Sequence, residues 1–483
     1  MNLVTLSAVR LAELIKKREI SAREAVDAHI ALAERVNPTL NAIVRTRFAD
    51  ARREADALDR KTTSVPATEL PPFHGVPCTI KECFEFTGMP NSAGLVRRKH
   101  VVATTDATAV KRLRAAGAIP LGVTNVSELC MWMESTNRVY GTSNNPYDPT
   151  RIVGGSSGGE GAIVGSGASP FGLGSDIGGS IRGPAFFNGV FGHKPTPGVI
   201  PNSGQHPKAE NEAKRFLTTG PLARRAEDLM PLVRVLAGPD GIDPVCEAVT
   251  LGAPESVSFA GRTLVSVEDN GRLPVSDELR AAHEQAVRAL ERRGMRVRTA
   301  RPRALALQFD IWSSMMGLAT DTPFGAMLGE GTPIRPLVEL AKLGLGKSDH
   351  TIMAILLAIT DPLPRVFRRH AQKLVDAGLA LRREMAELMG DGGLWLYPSY
   401  TKVAPPHGQP VKEAVVLQMP FAYFGIVNVL HLPATQVPLG LGREGLPLGV
   451  QVIGRAFDDH VTIRAALELE QDFGGWVPPR GVA

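Results

Sequence analysis

Gly154–Gly161 reads GGSSGGEG and Gly174–Arg182 reads GSDIGGSIR. Runs of this composition are ordinarily flexible connectors. Here, however, apolar residues stay interleaved with the glycine and serine from Gly141 to Gly198, among them Ile163, Val164, Phe171 and Leu173. A solvated linker would lack them, so the stretch reads as packed backbone. On its N-terminal side, Thr108–Gly117 (TAVKRLRAAG) has helical spacing and runs into the apolar Ala118–Gly122 (AIPLG), a helix followed by a buried strand. On its C-terminal side, Asp277–Arg293 is an amphipathic helix with the short alternating strand Met295–Thr299 behind it. This alternation predicts an α/β fold with a mixed core.

Farther out, Ser21–Glu24 (SARE) forms a capping box whose helix continues to Val36 and ends at Asn37-Pro38. Residues 1–65 therefore read as an N-terminal helical layer. Thr62–Pro72, with its prolines and small polar residues, reads as an exposed connection to the central region 73–200. A second unusual stretch, within 330–362, carries Leu337, Leu340, Leu343, Leu345, Ile352, Met353, Ile355, Leu356 and Leu357. It reads as core or as an apolar cap.

Bulk properties narrow the function. The 483 residues are 43% hydrophobic and 21% charged, the balance of a globular chain, and 5% aromatic residues argue against stacking on nucleic acid. The formal charge of +5 is scattered, which suits solubility rather than a polyanion partner. No run of about 18 apolar residues and no leader pattern is seen, and Cys78, Cys83, Cys130 and Cys246 lack paired spacing. A reducing cytoplasm, with neither zinc site nor disulfide framework, is the expectation.

Three pieces carry chemistry: Gly75–Cys83 (GVPCTIKEC), the GGSSGGEG loop and the GSDIGGSIR loop. Gly178 and Gly179 before Ser180 allow successive N–H groups to point into one hollow, which stabilises an oxyanion without side chains. Ser180 stands at the edge of that hollow. A serine hydroxyl needs a neighbour to take its proton, and Ser156 can accept and donate at once. Lys81 follows an apolar run, where burial disfavours an ammonium and suits the amine to act as a base.

These motifs resemble the lysine motif, the GGSSGG loop and the DIGGSIR nucleophile loop of the amidase signature family. The likeness runs from about Phe73 to about Thr196, including Thr124-Asn125 and Gly192–Thr196 (GHKPT), and more weakly over most of the rest. It implies a single large domain over 1–483 with a mixed, twisted β-sheet covered by helices on both faces. It also implies Lys81 as base, Ser156 as a bridging serine with a cis peptide bond, and Ser180 as the nucleophile that forms the acyl-enzyme. The N–H groups of Ile177, Gly178, Gly179 and Ser180 would form the oxyanion hole, with Cys130 beside the substrate and no cofactor or metal. Within the family, KEC at Lys81, GEGA at Gly159 and SDIGGS at Ser175 are most similar to the fatty acid amide hydrolase branch. Gly183 and His193 depart from the family pattern and leave acyl chain and amine preference open. The resemblance suggests a homodimer, and it likens Leu337–Leu357, with Lys342 and Lys347, to a cap resting on anionic membranes. A dimer contact or core helix would explain the same residues.

Other readings compete. Gly154–Gly158 fits G-x-S-x-G, the nucleophile elbow of α/β-hydrolases, with His407, His431 or His460 as base, but this leaves Lys81 and DIGGS without purpose. Ser399–Lys402 fits S-x-x-K on a stretch that reads as a strand. Asp176 and Arg182 read as a structural pair anchoring the glycine turn, and Met131 and Trp132 as core. The rival within the family is the glutaminase subunit of a tRNA-dependent amidotransferase. The apolar Cys130, Met131 and Phe187 disfavour it, because a glutaminase must meet a charged amino-acid end.

Overall fold

The computed structural model describes residues 1–480. Its strands, in chain order, are β1 (Ile43–Thr46), β2 (Pro77–Lys81), β3 (Ile119–Thr124), β4 (Thr136–Asn137), β5 (Gly141–Thr142), β6 (Phe171–Asp176), β7 (Phe191–Lys194), β8 (Thr218–Ala223), β9 (Thr263–Ser266), β10 (Arg296–Thr299), β11 (Leu394–Pro398), β12 (Ala434–Leu441) and β13 (Pro447–Ile453). Eleven of them form one sheet in the order β1-β3-β2-β6-β8-β7-β12-β13-β11-β9-β10, while β4 and β5 form a separate ribbon. The pairs β2–β3, β2–β6, β9–β10 and β9–β11 are parallel and the remaining pairs antiparallel, so the sheet is mixed as expected.

Successive strand residues face opposite sides, so a strand buried at every position must be covered on both. β2, β3, β6, β7, β8 and β11 are buried throughout. On β11, Leu394 and Leu396 join one core cluster while Trp395 and Tyr397 join another, which places a separate core on each face. The edge strand β10 is largely exposed and carries Arg296 and Arg298, charges that discourage another chain from pairing there.

Two expectations change. The capping box at Ser21 and Glu24 is present, but its helix runs through Asn37-Pro38 to Leu40. Proline removes one N–H from the last turn, and the loss is offset locally. Asn37 Oδ1 accepts the Ala42 and Ile43 N–H groups, and left-handed Asn41 ends the helix. The apolar stretch splits in two. Helix Pro336–Gly344 buries none of its residues, whereas helix Ile352–Thr360 buries Met353, Ala354, Ile355 and Ala358.

The sheet places the chemistry. β2 and β6 are parallel neighbours, with Thr79 opposite Gly172, so the chain leaves both at the same end, Lys81 closing β2 and Asp176 closing β6. The helix Gly158–Gly165 packs on both strands and carries the serine loop at its start. Its Glu160 is fully buried and accepts from Thr79 Oγ1 at 2.6 Å and Thr124 Oγ1 at 2.8 Å. Burial pushes this carboxyl up to about 8. A folded value raised above the unfolded one gives stability that is complete below the unfolded carboxylate range and lost as pH rises through the folded value. We therefore expect the melting temperature of the wild type to fall, relative to Glu160→Gln, between about pH 4.5 and 8. Parallel pH–Tm curves for the two proteins would contradict this.

Candidate active site

Lys81 is fully buried, and its Nζ donates to Ser156 Oγ at 2.8 Å and to Ser175 Oγ at 3.0 Å. The Gly155–Ser156 peptide is cis. Ser156 and Ser180, at 1% and 8% exposure, open onto one cavity of about 1100 Å³, and Ser157 N–H donates to the Ser180 carbonyl at 3.2 Å. Lys81 thus bonds Ser156 from beneath, and Ser156 and Ser180, far apart in the chain from Lys81, line the same cavity.

The loop carrying Ser180 is anchored by charge. Asp176 and Arg182 are both fully buried and form an ion pair at 3.1 Å. Asp176 also accepts from the Gly179 and Ile181 N–H groups at 2.7 and 3.1 Å, and from Asn428 Nδ2 at 2.9 Å. The Arg182 guanidinium and these donors hold the Asp176 carboxyl below the usual carboxylate range despite its burial. Arg182 continues to Gln451 Oε1 and Asn428 Oδ1, each at 2.6 Å. Removing one partner of such a pair costs about 3–5 kcal/mol, because the other charge is left buried alone.

This anchoring sorts the glycine-rich donors. The Gly179 N–H turns to Asp176, while among the described residues the N–H groups of Ile177, Gly178 and Ser180 meet no acceptor. Gly179 has φ +112°, and a Cβ there would collide with the Phe424 side chain. Gly179→Ala is therefore expected to lower kcat/KM at least about 100-fold, comparable to loss of an oxyanion donor. Amide turnover, measured on protein whose circular dichroism matches wild type, checks it.

The cavity wall is mostly apolar. Cys130, Met131 and Trp132 line it, and the latter two also pack against the core as expected. Cys130 is drawn below the ordinary thiol range by its interaction with Cys83. Phe187 does not line the cavity: it is buried behind the serine loop, edge-on to Tyr400 at 5.2 Å. The sequence reading missed Ser175, Trp312, Phe424, Asn428 and Gln451. Ser175 had a signal in its place beside Asp176. The other four lie 130 or more positions away in chain segments without a motif.

Competing readings lose their partners. Ser156 meets Lys81 rather than an imidazole, while His407 bonds Glu134 at 2.6 Å and His431 bonds Arg382 at 3.1 Å. Ser399 Oγ donates to Gln436 at 2.6 Å, whereas Lys402 pairs with Glu413. Gly183 has room for a Cβ at ordinary contact from Phe424. His193 is buried between Thr435 Oγ1 at 2.9 Å and Asp459 Oδ1 at 3.1 Å, which explains a polar residue where an apolar one was expected.

The family model described as Amidase matches residues 24–463. The chain belongs to the amidase signature family. It is 44% identical to human fatty-acid amide hydrolase 2, over 99% of this chain and 91% of that protein. It is 43% identical to fatty-acid amide hydrolase 2-B of Danio rerio over the same shares. Among solved structures it resembles 6-aminohexanoate cyclic dimer hydrolase, with a TM-score of 0.83 and 27% identity over 99% of both chains. Membership of this family makes it a hydrolase acting on amide bonds. Among the described residues no helix is long and apolar enough to cross a membrane.

Proposed function

We propose that this amidase hydrolyses hydrophobic carboxylic acid amides, fatty acyl amides among them, through an acyl-enzyme on Ser180. The observation carrying this reading is the 2.8 Å contact of buried Lys81 with Ser156 beneath an apolar cavity onto which Ser180 also opens. Lys81 draws the Ser180 proton through Ser156 while Ser180 Oγ attacks the carbonyl carbon, and the Ile177, Gly178 and Ser180 N–H groups hold the oxyanion. As the tetrahedral intermediate collapses, the C–N bond breaks and the relay returns the proton to the departing amine. Water then gives its proton along the same path, attacks the acyl-enzyme and frees the acid. Rates for amides of increasing acyl length, compared with glutamine, test the substrate class. A preference for glutamine would favour the amidotransferase-type glutaminase instead.

The same reading places the cavity mouth against a lipid surface. Leu337, Leu345, Val366, Phe367, Val415 and Leu417 are large apolar side chains each more than 60% exposed. Phe367, Val415 and Leu417 also border the cavity, so a substrate could pass from an apolar phase directly to the site. Leu337→Asp/Leu345→Asp, which leaves the cavity lining intact, is expected to reduce co-sedimentation with phosphatidylserine-containing vesicles at least about tenfold. Turnover of a short soluble amide should be unchanged. If the wild type instead sediments as a dimer that the double variant splits, the face is a contact between two copies.

A further inference from the structure

Each N–H of the oxyanion hollow belongs to a planar peptide whose carbonyl points the opposite way, so fixing that carbonyl from behind fixes the donor. The Ile177 N–H shares its peptide with the Asp176 carbonyl, which accepts from Asn428 Nδ2 at 3.0 Å and Thr218 Oγ1 at 3.3 Å. The Ser180 N–H shares its peptide with the Gly179 carbonyl, which accepts from the Gly183 N–H at 2.7 Å. The Gly178 N–H shares its peptide with the Ile177 carbonyl, and the donor there is Trp312 Nε1 at 3.3 Å. All three donors of the hollow are braced in the same manner, and the first and middle braces come from outside the signature core.

Trp312 is itself held firmly. It lies on helix Gln308–Leu318, its ring is edge-on to Phe421 at 5.1 Å, and a Cβ on Gly425 would meet it at 2.9 Å. A Cβ on Gly178 would meet the indole at 3.1 Å, so the ring packs against that glycine, and both line the cavity.

We infer that Trp312 is a positioning residue for amide hydrolysis: its indole N–H orients the Ile177–Gly178 peptide so that the Gly178 N–H meets the developing oxyanion. This rests on the proposed acyl-enzyme mechanism. A donor aimed before reaction needs no reorganisation during it, and its strength rises when its own peptide carbonyl is hydrogen-bonded. The loss on removing the brace therefore falls on the transition state and not on substrate binding.

The test replaces Trp312 with phenylalanine and, separately, with β-(3-benzothienyl)alanine, which keeps the indole shape and lacks only the N–H. Both should lower kcat for a hydrophobic amide about tenfold or more, with KM changed less than about twofold, and slow fluorophosphonate labelling of Ser180 by a similar factor. The isosteric replacement should leave the melting temperature near that of wild type, which a merely structural role could not combine with lost kcat. Unchanged kcat and labelling in the isosteric variant, or a loss confined to KM, would overturn the inference. Wild-type protein run alongside separates the two levels. Wild-type turnover and labelling with no effect of the isosteric variant removes only the role of Trp312. An unlabelled, inactive wild type removes the acyl-enzyme reading and this inference together.

Discussion

Ser180→Ala is expected to lower kcat about 10⁶-fold and to eliminate labelling by a serine-reactive fluorophosphonate. The size follows from what is removed. The attacking hydroxyl is gone, and what remains is the residual rate supplied by binding and the backbone donors. Ser180 suits this role because the glycine turn before it is braced by Asp176 and because it opens onto the cavity, at 8% exposure. Ser156 is nearly closed off, at 1%, with its hydroxyl on Lys81. A peptide map of the labelled wild type should place the adduct on Ser180. An adduct on Ser156, or persistent labelling of the alanine variant, would reverse the two serines and restore the elbow-type reading.

Lys81→Ala is the second large effect, a loss of about 10²–10⁴ in kcat near neutral pH, the range general acid–base catalysis supplies. The loss should shrink as pH rises. With the amine gone, hydroxide is the remaining proton acceptor, so activity should climb about tenfold per pH unit in the alkaline range while wild-type activity stays comparatively level. Removing the side chain leaves the Ser156 and Ser175 hydroxyls facing the space it occupied, so folding is checked separately by melting temperature. A variant that is merely slow, with a pH profile parallel to wild type, would show that Lys81 supports the site without moving the proton.

Much of the fold was legible because the relevant signals are local. The Ser21–Glu24 capping box, the helix after Thr108 and the buried strand that follows it each depend on residues within a few positions of one another, and each appears in the structure. Local reading failed at Pro38, where the helix continues because Asn37 and Asn41 rearrange the hydrogen bonds of its last turn. It failed again at Phe187. Apolar character near the nucleophile in sequence says nothing about which face of a short helix points at the cavity, and Phe187 points away.

What the sequence determined by itself was chemical identity: a lysine behind an apolar run, one serine in each of two glycine-rich turns, and an acid and a base flanking the second. Residue type and short-range spacing are sufficient for that. Tertiary structure alone decided how those groups act. The parallel pairing of β2 with β6 sets Lys81 beside Ser175, the helix packed on both strands carries Ser156 to it, and Asp176 turns the Gly179 N–H out of the hollow. Asn428 and Trp312 brace the donors that remain. Direction belongs to peptide planes and side chains packed across more than a hundred residues of chain, and no short-range pattern can specify it.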